Sequence, residues 1–359
     1  MRVKLEDVCE RGSSNIKQSD IIKMSGNYPI YGASGLAGKV NFYHQEQPYV
    51  AVVKDGAGIG RTTLNPAKSS VIGTMQYLIP KKNVLPEYLF YVVSYMHLEK
   101  YYTGATIPHI YFKDYKNEEF NLDNIEKQLE IIDVLGRCKK VIEARKQELV
   151  ELDSLTKARF VEMFGDPVSN SYGFPEATLP ELGELGRGVS KHRPRNDSKL
   201  LGGDYPLIQT GDVANAGLYI TSYGGTYSEL GLKQSKMWNK GTLCITIAAN
   251  IAKTAILEFD ACFPDSVVGF IANEKTNNIF IHYWFSFFQA ILESQAPESA
   301  QKNINLKILS ELKVIVPKKE KQDEFVEFIE QVYKSKVAVQ KALDETQILF
   351  DSLMQKYFG

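Results

Sequence analysis

The stretch of sequence that decides the fold covers residues 124–165 and reads NIEKQLEIIDVLGRCKKVIEARKQELVELDSLTKARFVEMFG. A second stretch of the same character covers residues 318–359 and reads KKEKQDEFVEFIEQVYKSKVAVQKALDETQILFDSLMQKYFG. Neither contains proline, and in both the apolar residues recur at alternating spacings of four and three. This pattern predicts two long helices that pair along a coiled-coil seam. The predicted helix-pairing residues are Ile131, Leu135, Ile142, Leu149, Leu152, Phe325, Ile329, Val332, Val339, Leu343, Phe350 and Leu353.

The two stretches belong to an internal repeat. A shift of 194 residues carries Ile131 onto Phe325 and aligns Lys127-Gln128 with Lys321-Gln322. A slightly different shift of 192 residues aligns residues 59–62 with residues 251–254. Offsets that drift in this way indicate two copies of one unit with loops of different length. The chain is therefore predicted to be a duplication, in which each globular part is followed by a long helix.

Each globular part mixes predicted strands and helices. Short runs rich in β-branched and aromatic residues, such as Tyr49–Val53 and Thr242–Ile247, are typical of strands. Helical patches at Glu87–Glu99 and Asn278–Glu293 lie among them, which favours an α+β fold. The predicted boundaries are 1–123 for the first globular domain, 124–165 for the first helix, 166–317 for the second domain and 318–359 for the second helix.

Composition restricts the class of protein. The 359 residues are 44% hydrophobic and carry 42 Lys and Arg against 43 Asp and Glu, which is typical of globular chains and not of disordered or collagen-like ones. The four cysteines are scattered without metal-ligand spacing, so neither a zinc site nor a disulfide framework is predicted. No secretion signal or stretch of 18 apolar residues occurs, so we expect a cytoplasmic protein.

The sequence motifs favour a binding protein over an enzyme. Residues 55–62 read DGAGIGRT, but the aligned residues 247–254 have lost every glycine. A hairpin that presents Arg61 or Lys253 is therefore favoured over a phosphate cradle. Pro264-Asp265 lacks the following Glu-x-Lys of a nuclease. His109 and His192 have no nucleophile or acid at a recognisable spacing, so no catalytic residue and no metal ligand is predicted.

One loop of the second copy is strongly basic. Residues 187–199 hold five cations against one acid. Such a density can neutralise several phosphates, and arginine can also read guanine edges. A solvated surface loop is the alternative interpretation. The first copy has a weaker counterpart at residues 11–17, RGSSNIK.

Several strings together identify a family. The second copy contains SKHRPRND at 190–197, YPLIQTGD at 205–212 and QKNINLK at 301–307. The first contains YPIYGASG at 28–35 and GATIPHIYFKDY at 104–115. In this order, and with two long helices in the repeat, the chain resembles the specificity (S) subunits of type I restriction–modification systems. The resemblance covers essentially the whole sequence.

The resemblance implies two pseudo-repeated mixed α/β target recognition domains separated by two long antiparallel coiled-coil helices. It implies a non-catalytic DNA sequence-specificity subunit that reads a bipartite, asymmetric double-stranded site. A helix of about 35 residues spans ~50 Å, enough to separate two readers by about one turn of B-DNA, ~34 Å. The implied partners are two methyltransferase (M) subunits and restriction (R) subunits. No cofactor is implied on this chain, since S-adenosylmethionine and ATP would bind to the partners.

The resemblance implies, from the positions of the matching strings, which residues face DNA. In the second domain they are Lys191, His192, Arg193, Arg195, Gln209, Thr210, Asn250 and Lys253. In the first domain they are Ser14, Asn15, Lys17, Tyr31, Lys54, Arg61 and Thr62. Two alternatives remain open at this point. One is a coiled-coil scaffold protein, and the other is a fused DNA methyltransferase or nuclease with its own active site.

Overall fold

The computed structural model of the chain describes residues 1–104, 107–248, 251–295 and 304–359, with only the backbone described for residues 290–295. The chain divides into two compact units, one of residues 1–147 with 339–359 and the other of residues 148–338. Each unit holds one globular domain and part of both long helices. The protein is thus a mixed α+β duplication, as the repeat predicts.

The first unit is built on two larger sheets, one two-stranded sheet that pairs its first and last strands, and a helix that covers one of the larger sheets. The main sheet has the order β2-β8-β5-β6, and a second sheet has the order β4-β3-β7. The strands are β1 (Arg2–Lys4), β2 (Cys9–Ser13), β3 (Tyr28–Gly32), β4 (Gly35–Val40), β5 (Tyr49–Val53), β6 (Thr62–Asn65), β7 (Ser70–Val71), β8 (Met75–Pro80) and β9 (Glu119–Asn121). The helices are α1 (Leu5–Val8), α2 (Gln18–Ile21), α3 (Pro86–Tyr95) and α4 (Phe112–Tyr115), with a 3-10 turn at Leu98–Tyr101. The first long helix is α5 (Ile125–Phe164).

The second unit repeats this plan and adds to it. Its main sheet has the order β11-β19-β16-β17-β13, and its second sheet the order β14-β12-β18-β15. The strands are β10 (Glu176–Thr178), β11 (Gly183–Arg187), β12 (Leu201–Leu207), β13 (Tyr219–Ile220), β14 (Gly225–Tyr227), β15 (Met237–Trp238), β16 (Leu243–Thr246), β17 (Thr254–Leu257), β18 (Ala261–Cys262), β19 (Val267–Ala272) and β20 (Lys313–Ile315). The helices are α6 (Leu179–Leu182), α7 (Thr210–Asn215), α8 (Glu229–Lys233), α9 (Asn278–Gln295) and α10 (Leu306–Glu311), with a 3-10 turn at Ser198–Leu200. The second long helix is α11 (Lys319–Phe358).

The two long helices pack antiparallel. In the first unit, Ile131 and Leu135 of α5 share one apolar core with Met354 near the end of α11. In the second unit, Phe160 near the end of α5 packs against Phe325 near the start of α11, with ring centroids 5.3 Å apart. Of the twelve residues predicted to pair the helices, Leu149, Leu152, Phe350 and Leu353 are half-buried and the other eight are buried.

Lys336 and Cys138 also fall on the four-three spacing of the long helices, and they differ in their surroundings. Lys336 of α11 forms an ion pair with Asp153 of α5, and its side chain is 30% exposed. Cys138 is half-buried and free. A lysine that reaches a carboxylate on the other helix can help to fix the register of the pair, although a surface ion pair contributes only about 0–1 kcal/mol.

A buried glutamine connects α5 to the first domain. The Gln128 side chain is fully buried. Its Nε2 donates to the carbonyl oxygens of Asn83 at 3.0 Å and Asp123 at 2.9 Å. Its Oε1 accepts the backbone N–H of Leu85 at 2.9 Å. A buried amide with both N–H groups and its oxygen used is fully integrated into the core, so Gln128 fixes the segment before α3 onto the start of α5.

The repeat places Gln322 at the same point of the second unit. Gln322 is also fully buried. It donates to the carbonyl oxygens of Lys275 at 3.0 Å and Pro317 at 2.9 Å, and it accepts from the Thr276 hydroxyl at 2.9 Å. The segment before α9 is thereby fixed onto the start of α11. The same polar device therefore joins helix and domain in both copies.

Candidate nucleic-acid interface

In the second unit, three loops meet at one end of the two sheets. Arg187 at the end of β11 lies opposite Val268, and Thr246 at the end of β16 lies opposite Val267. Leu207 at the end of β12 lies beside Cys262, directly before the turn at 263–266. The strand register therefore gathers the basic loop, Gln209-Thr210 and the start of β17 with Lys253 around this turn.

The arginines of the basic loop are folded onto Asp265. Arg195 forms an ion pair with the Asp265 carboxylate, and Arg193 Nη2 lies 3.5 Å from the same group. Arg187 donates from Nε to the Asp265 carbonyl oxygen. The Arg193 and Arg195 side chains remain 55% and 45% exposed. With Asp197 and Asp265 included, the five cations of residues 187–199 leave this surface a net charge of +3.

Further hydrogen bonds hold the backbone of the basic loop. Gln234 Oε1 accepts the N–H groups of Lys191 at 2.7 Å and His192 at 3.0 Å. Asp197 accepts the backbone N–H of Lys199 at 3.0 Å, and its other carboxylate oxygen lies 3.1 Å from His192 Nε2. The Lys199 N–H and then His192 lower the pKa of Asp197 below its usual value. The basic groups are thus positioned in advance, which reduces the entropy lost on binding a ligand.

In the first unit, the equivalent loops meet at the equivalent end. Ser13 at the end of β2 lies opposite Gln76, and Val53 at the end of β5 lies opposite Met75. The loop after β2 is joined to the start of β8 by the Gly73 N–H, which donates to the Ile16 carbonyl at 2.8 Å. A cleft of about 520 Å³ lies here, lined by Asn15, Lys17, the turn after β3 and Asp55.

The hairpin between β5 and β6 brings further charged groups close to this cleft. Arg61 Nη1 donates to the Ala33 carbonyl at 3.0 Å. Asp55 forms an ion pair with Lys54 and lies 2.7 Å from His109 Nδ1. Burial raises the pKa of Asp55, but the hydrogen bonds and charges of Lys54 and His109 outweigh burial and lower it. The three glycines of the hairpin all have positive φ values, which glycine adopts without strain.

The predicted DNA-facing residues differ in how they are presented. Asn15, Lys17, Arg61, Lys191, His192, Arg193, Arg195 and Gln209 are exposed, while Tyr31, Lys54, Thr62, Thr210 and Lys253 are half-buried. Ser14 is buried, and its hydroxyl accepts the Ile16 N–H at 3.3 Å. Asn250 lies outside the described residues, as do residues 105–106 and 301–303 of the two strings that precede the long helices.

The partners that hold these loops were not evident from the sequence. Asp265 lies 70 residues from Arg195, and Gln234 lies 43 residues from Lys191. His109 meets its acid, Asp55, across 54 residues. The register of β11, β16 and β19 brings the first of these pairs together, and no local motif encodes that register.

The described residues contain neither a metal-binding cluster nor a membrane-spanning helix. Within 1–104, 107–248, 251–295 and 304–359, no group of three or more His, Cys, Asp or Glu side chains could hold a metal ion. In the same part of the chain, no helix combines the length and the apolar character needed to cross a bilayer.

Comparison with known proteins gives one family. A model described as the type I restriction modification DNA specificity domain matches residues 1–153 and 176–346, well over half of the chain. Among curated proteins, the chain is 21% identical over 324 residues to a Methanocaldococcus jannaschii protein assigned as the MjaX type I restriction enzyme specificity subunit. That match covers 86% of this chain and 72% of the relative.

Solved structures share the fold. The S subunit of a type I restriction–modification system from M. genitalium matches with a TM-score of 0.67 and 15% identity, over 100% of this chain and 96% of that chain. A chain from a structure on complex assembly and conformational transition of the type I R-M system matches with a TM-score of 0.57 and 15% identity, over 99% and 97% of the two chains. At this level of identity, the likeness shows the architecture.

Proposed function

Because the chain belongs to the family of type I restriction–modification DNA specificity domains, we propose that it reads a bipartite, asymmetric site on double-stranded DNA, one half-site with each globular domain. Specificity subunits of these systems bind DNA and are non-catalytic, so this chain is not an enzyme. The cytoplasm is the proposed site of action, because the DNA ligand is found there.

One observation carries this proposal. The loops after β2, β3 and β5 in the first unit and after β11, β12 and β16 in the second gather at equivalent ends of equivalent sheets. Exposed basic or amide side chains lie in the loops after β2 and β5 of the first unit and after β11 and β12 of the second. Two surfaces of the same origin but different sequence suit two unlike half-sites, because base edges are distinguished by the side chains that reach them.

The proposed roles follow from exposure and charge. Arg193 and Arg195 are exposed and positioned by Asp265, and we assign them to phosphate or guanine contacts together with Lys191 and His192. Gln209, Thr210, Asn250 and Lys253 complete the second surface. Ser14 acts indirectly, because it is buried and supports the loop that carries Asn15 and Lys17. Tyr31, Lys54, Arg61 and Thr62 complete the first surface.

The remaining parts of the proposal concern assembly. We assign residues 1–123 and 166–317 to the two reading domains, and residues 124–165 and 318–359 to the helices that set the spacer between the half-sites. Two methyltransferase subunits and the restriction subunits are the proposed partners. S-adenosylmethionine and ATP would bind to those partners, and this chain would determine which DNA sequence the complex recognises.

Removal of the two arginine charges tests the DNA-binding surface. The double variant Arg193→Gln, Arg195→Gln should bind duplex DNA more weakly, because two cations near phosphates are removed. In a plot of log K against log salt, the slope should fall by up to about 0.9 for each phosphate that is no longer neutralised. The measurement is a titration of labelled duplex at several salt concentrations, with the methyltransferase partner present. Lys240→Gln is the matched control, because Lys240 is exposed in the same unit but precedes β16, at the opposite end of that strand.

Three outcomes would contradict parts of the proposal. An unchanged slope in the double variant would remove the arginine assignment. Indifference of the wild-type complex to duplex DNA would favour a scaffold protein. Retention of S-adenosylmethionine by the isolated chain in calorimetry would indicate an enzyme with its own methyltransferase centre. Methylome sequencing of cells that express the chain with its methyltransferase would return both half-sites and the spacer.

A further inference from the structure

The two units differ at one edge of their main sheets. In the second unit, β13 lies parallel to the outer edge of β17, with Tyr219 opposite Ile256. The Ile256 N–H donates to the Leu218 carbonyl at 2.9 Å. The equivalent strand of the first unit is β6, where the 192-residue shift places Leu64 on Ile256. No strand among the described residues pairs with the outer edge of β6.

The difference arises from the length of one connection. In the first unit, β3 is joined to β4 by residues 33–34. In the second unit, β12 is joined to the equivalent β14 by residues 208–224, a segment that contains both α7 and β13. The second copy thus supplies its own cover for the sheet edge, and the first copy lacks the segment that would do so.

The uncovered edge opens onto a cleft that combines apolar side chains with charged ones at Glu87, Asp133, Arg137, Lys139 and Lys140. Leu64 is 38% exposed, whereas Ile256 is only 4% exposed. The cleft has a volume of about 640 Å³ and is lined by Leu64, Phe90 of α3, and Ile132 and Gly136 of α5. Apart from Gly136 itself, its two chain neighbours and the nearby backbone of α5, no described atom lies within 4 Å of the place where a Cβ on Gly136 would stand. A glycine inside an exposed helix costs about 1 kcal/mol relative to alanine, and here it leaves space.

The second unit shows what fills this space. There, the Tyr219 ring of β13 packs edge-on against Tyr333 of α11, with centroids 4.9 Å apart. The 194-residue shift places Tyr333 on Lys139 of α5. The first unit therefore lacks both aromatic rings at this position. Lys139 instead lies over the Phe90 ring, with its Nζ 5.0 Å from the centroid.

We propose that the outer edge of β6 and this cleft bind an extended segment of a partner polypeptide. The segment runs parallel to β6 and places an aromatic side chain, flanked by aliphatic residues, in the cleft, as Leu218-Tyr219-Ile220 do beside β17. A second copy of the chain is not the donor, because its own segment is already paired with β17. The inference goes beyond the proposed function, since it requires no DNA.

The backbone of β6 defines how the segment binds. In the second unit, the Glu258 N–H also donates to β13, at the Ile220 carbonyl. The equivalent position in the first unit is Pro66, which has no N–H. The docked segment can therefore use the Leu64 N–H but finds no N–H at the position of Pro66. Most of the binding energy must come from the aromatic anchor, as in other interfaces with a few dominant side chains.

A synthetic peptide that copies the missing strand tests the site. The probe is the capped peptide of residues 216–222, AGLYITS, titrated against the full chain. We expect saturable binding and slower hydrogen exchange in residues 62–65. Replacing the peptide tyrosine by alanine should weaken binding at least about tenfold, the equivalent of about 1.4 kcal/mol. Gly136→Trp should weaken it to a similar extent, because the indole occupies the cleft.

The controls separate loss of the site from loss of the fold. Gly136→Trp adds helix propensity, so its thermal unfolding should not fall, and its DNA affinity should equal that of the wild type. Lys157→Trp, an exposed change on the same helix but in the second unit, should leave peptide binding unchanged. Absence of saturable binding, or equal binding to Gly136→Trp, would overturn the proposal. Self-association of the chain that Gly136→Trp abolishes would identify a second copy as the occupant and overturn the proposed partner. None of these three results would affect the DNA titration.

Discussion

Asp265 shows how much one half-buried carboxylate can organise. The basic composition of residues 187–199 is visible in the sequence, and it was sufficient to predict a candidate surface. The acid that positions Arg193 and Arg195 was not predictable, because its partners lie 70 and more residues away. Pro264-Asp265 was evident only as half of a nuclease motif. A carboxylate between guanidinium groups holds flexible arginine side chains in fixed positions. The same carboxylate neutralises part of their positive charge.

At the same scale, we expect Gln128 to contribute more to the stability of the first unit than a glutamine usually does. Gln128→Leu retains the volume but removes partners from the Leu85 N–H and from the carbonyls of Asn83 and Asp123. Buried groups left without hydrogen bonds cost about 1–3 kcal/mol each, so we expect the first unit to unfold at a lower urea concentration. Hydrogen exchange of β5 and β8 during a urea titration would measure the unfolding midpoint of the first unit. Gln340→Leu is the control, because Gln340 is exposed and bonds only within α11. Equal midpoints would contradict the assignment.

At the scale of the element, local pattern and structure agree where burial is strong. The run Tyr49–Val53 is a fully buried strand, and the patches at Glu87–Glu99 and Asn278–Glu293 correspond to α3 and α9. The two-residue strand β13 was not predicted, because it is too short to show an alternating pattern and depends on pairing with β17. Glutamines are usually exposed, so the shared burial of Gln128 and Gln322 was equally hidden from sequence alone.

Helix α9 carries a histidine that should make the second unit sensitive to acid. The pKa of His282 is lowered to about 4, chiefly by burial and to a smaller extent by the Lys336 charge, although a hydrogen bond to the Thr254 backbone opposes both. The Thr254 hydroxyl lies 2.9 Å from His282 Nδ1. In the unfolded chain the pKa is about 6.5. The neutral histidine therefore favours the folded state fully above pH 6.5, and this stability is lost as the pH falls toward 4. The expected loss is roughly 1–2 kcal/mol between pH 7 and 5.

The histidine can be replaced to isolate this effect. His282→Gln keeps a hydrogen-bond acceptor for the Thr254 hydroxyl and removes the titration, so its urea midpoint should depend less on pH than that of the wild type. His97→Gln is the control, because the His97 side chain is 71% exposed. Hydrogen exchange in β16, β17 and α9 reports on the second unit. An identical pH dependence in wild type and His282→Gln would contradict the assignment.

At the scale of the whole molecule, neither unit is a continuous copy of the sequence repeat. The first unit combines residues 1–147 with residues 339–359, and Phe350, Met354 and Phe358 of α11 pack into its core. The repeat predicted two copies, each followed by its own helix. Because the helices are antiparallel, each domain also receives part of the other copy's helix. This exchange follows from tertiary packing. An alignment of the two copies gives no information about that packing.

Truncation after Ala338 tests this exchange. The shortened chain loses Met354 from the core and the half-buried rings of Phe350 and Phe358 that pack against it. Full burial of a side chain of this size contributes about 1.5–3 kcal/mol. We expect fast proteolysis and hydrogen exchange in residues 1–147. Strands β16, β17 and β19 should remain protected, because the second unit uses residues 148–338. Equal loss of protection in both regions, or in neither, would contradict the division. A chain truncated after Phe358, which loses only the exposed Gly359, serves as the control.

The antiparallel helices also set an order of events during synthesis. The first domain leaves the ribosome early, but the α11 residues that complete its core are translated only after the second domain. At about 5–20 residues per second, roughly 10–40 s separate residue 147 from residue 359. During that interval, Ile131 and Leu135 have no partner on α11, while the second unit can already close on residues 148–338. The domain that is made first is therefore the one whose core is completed last.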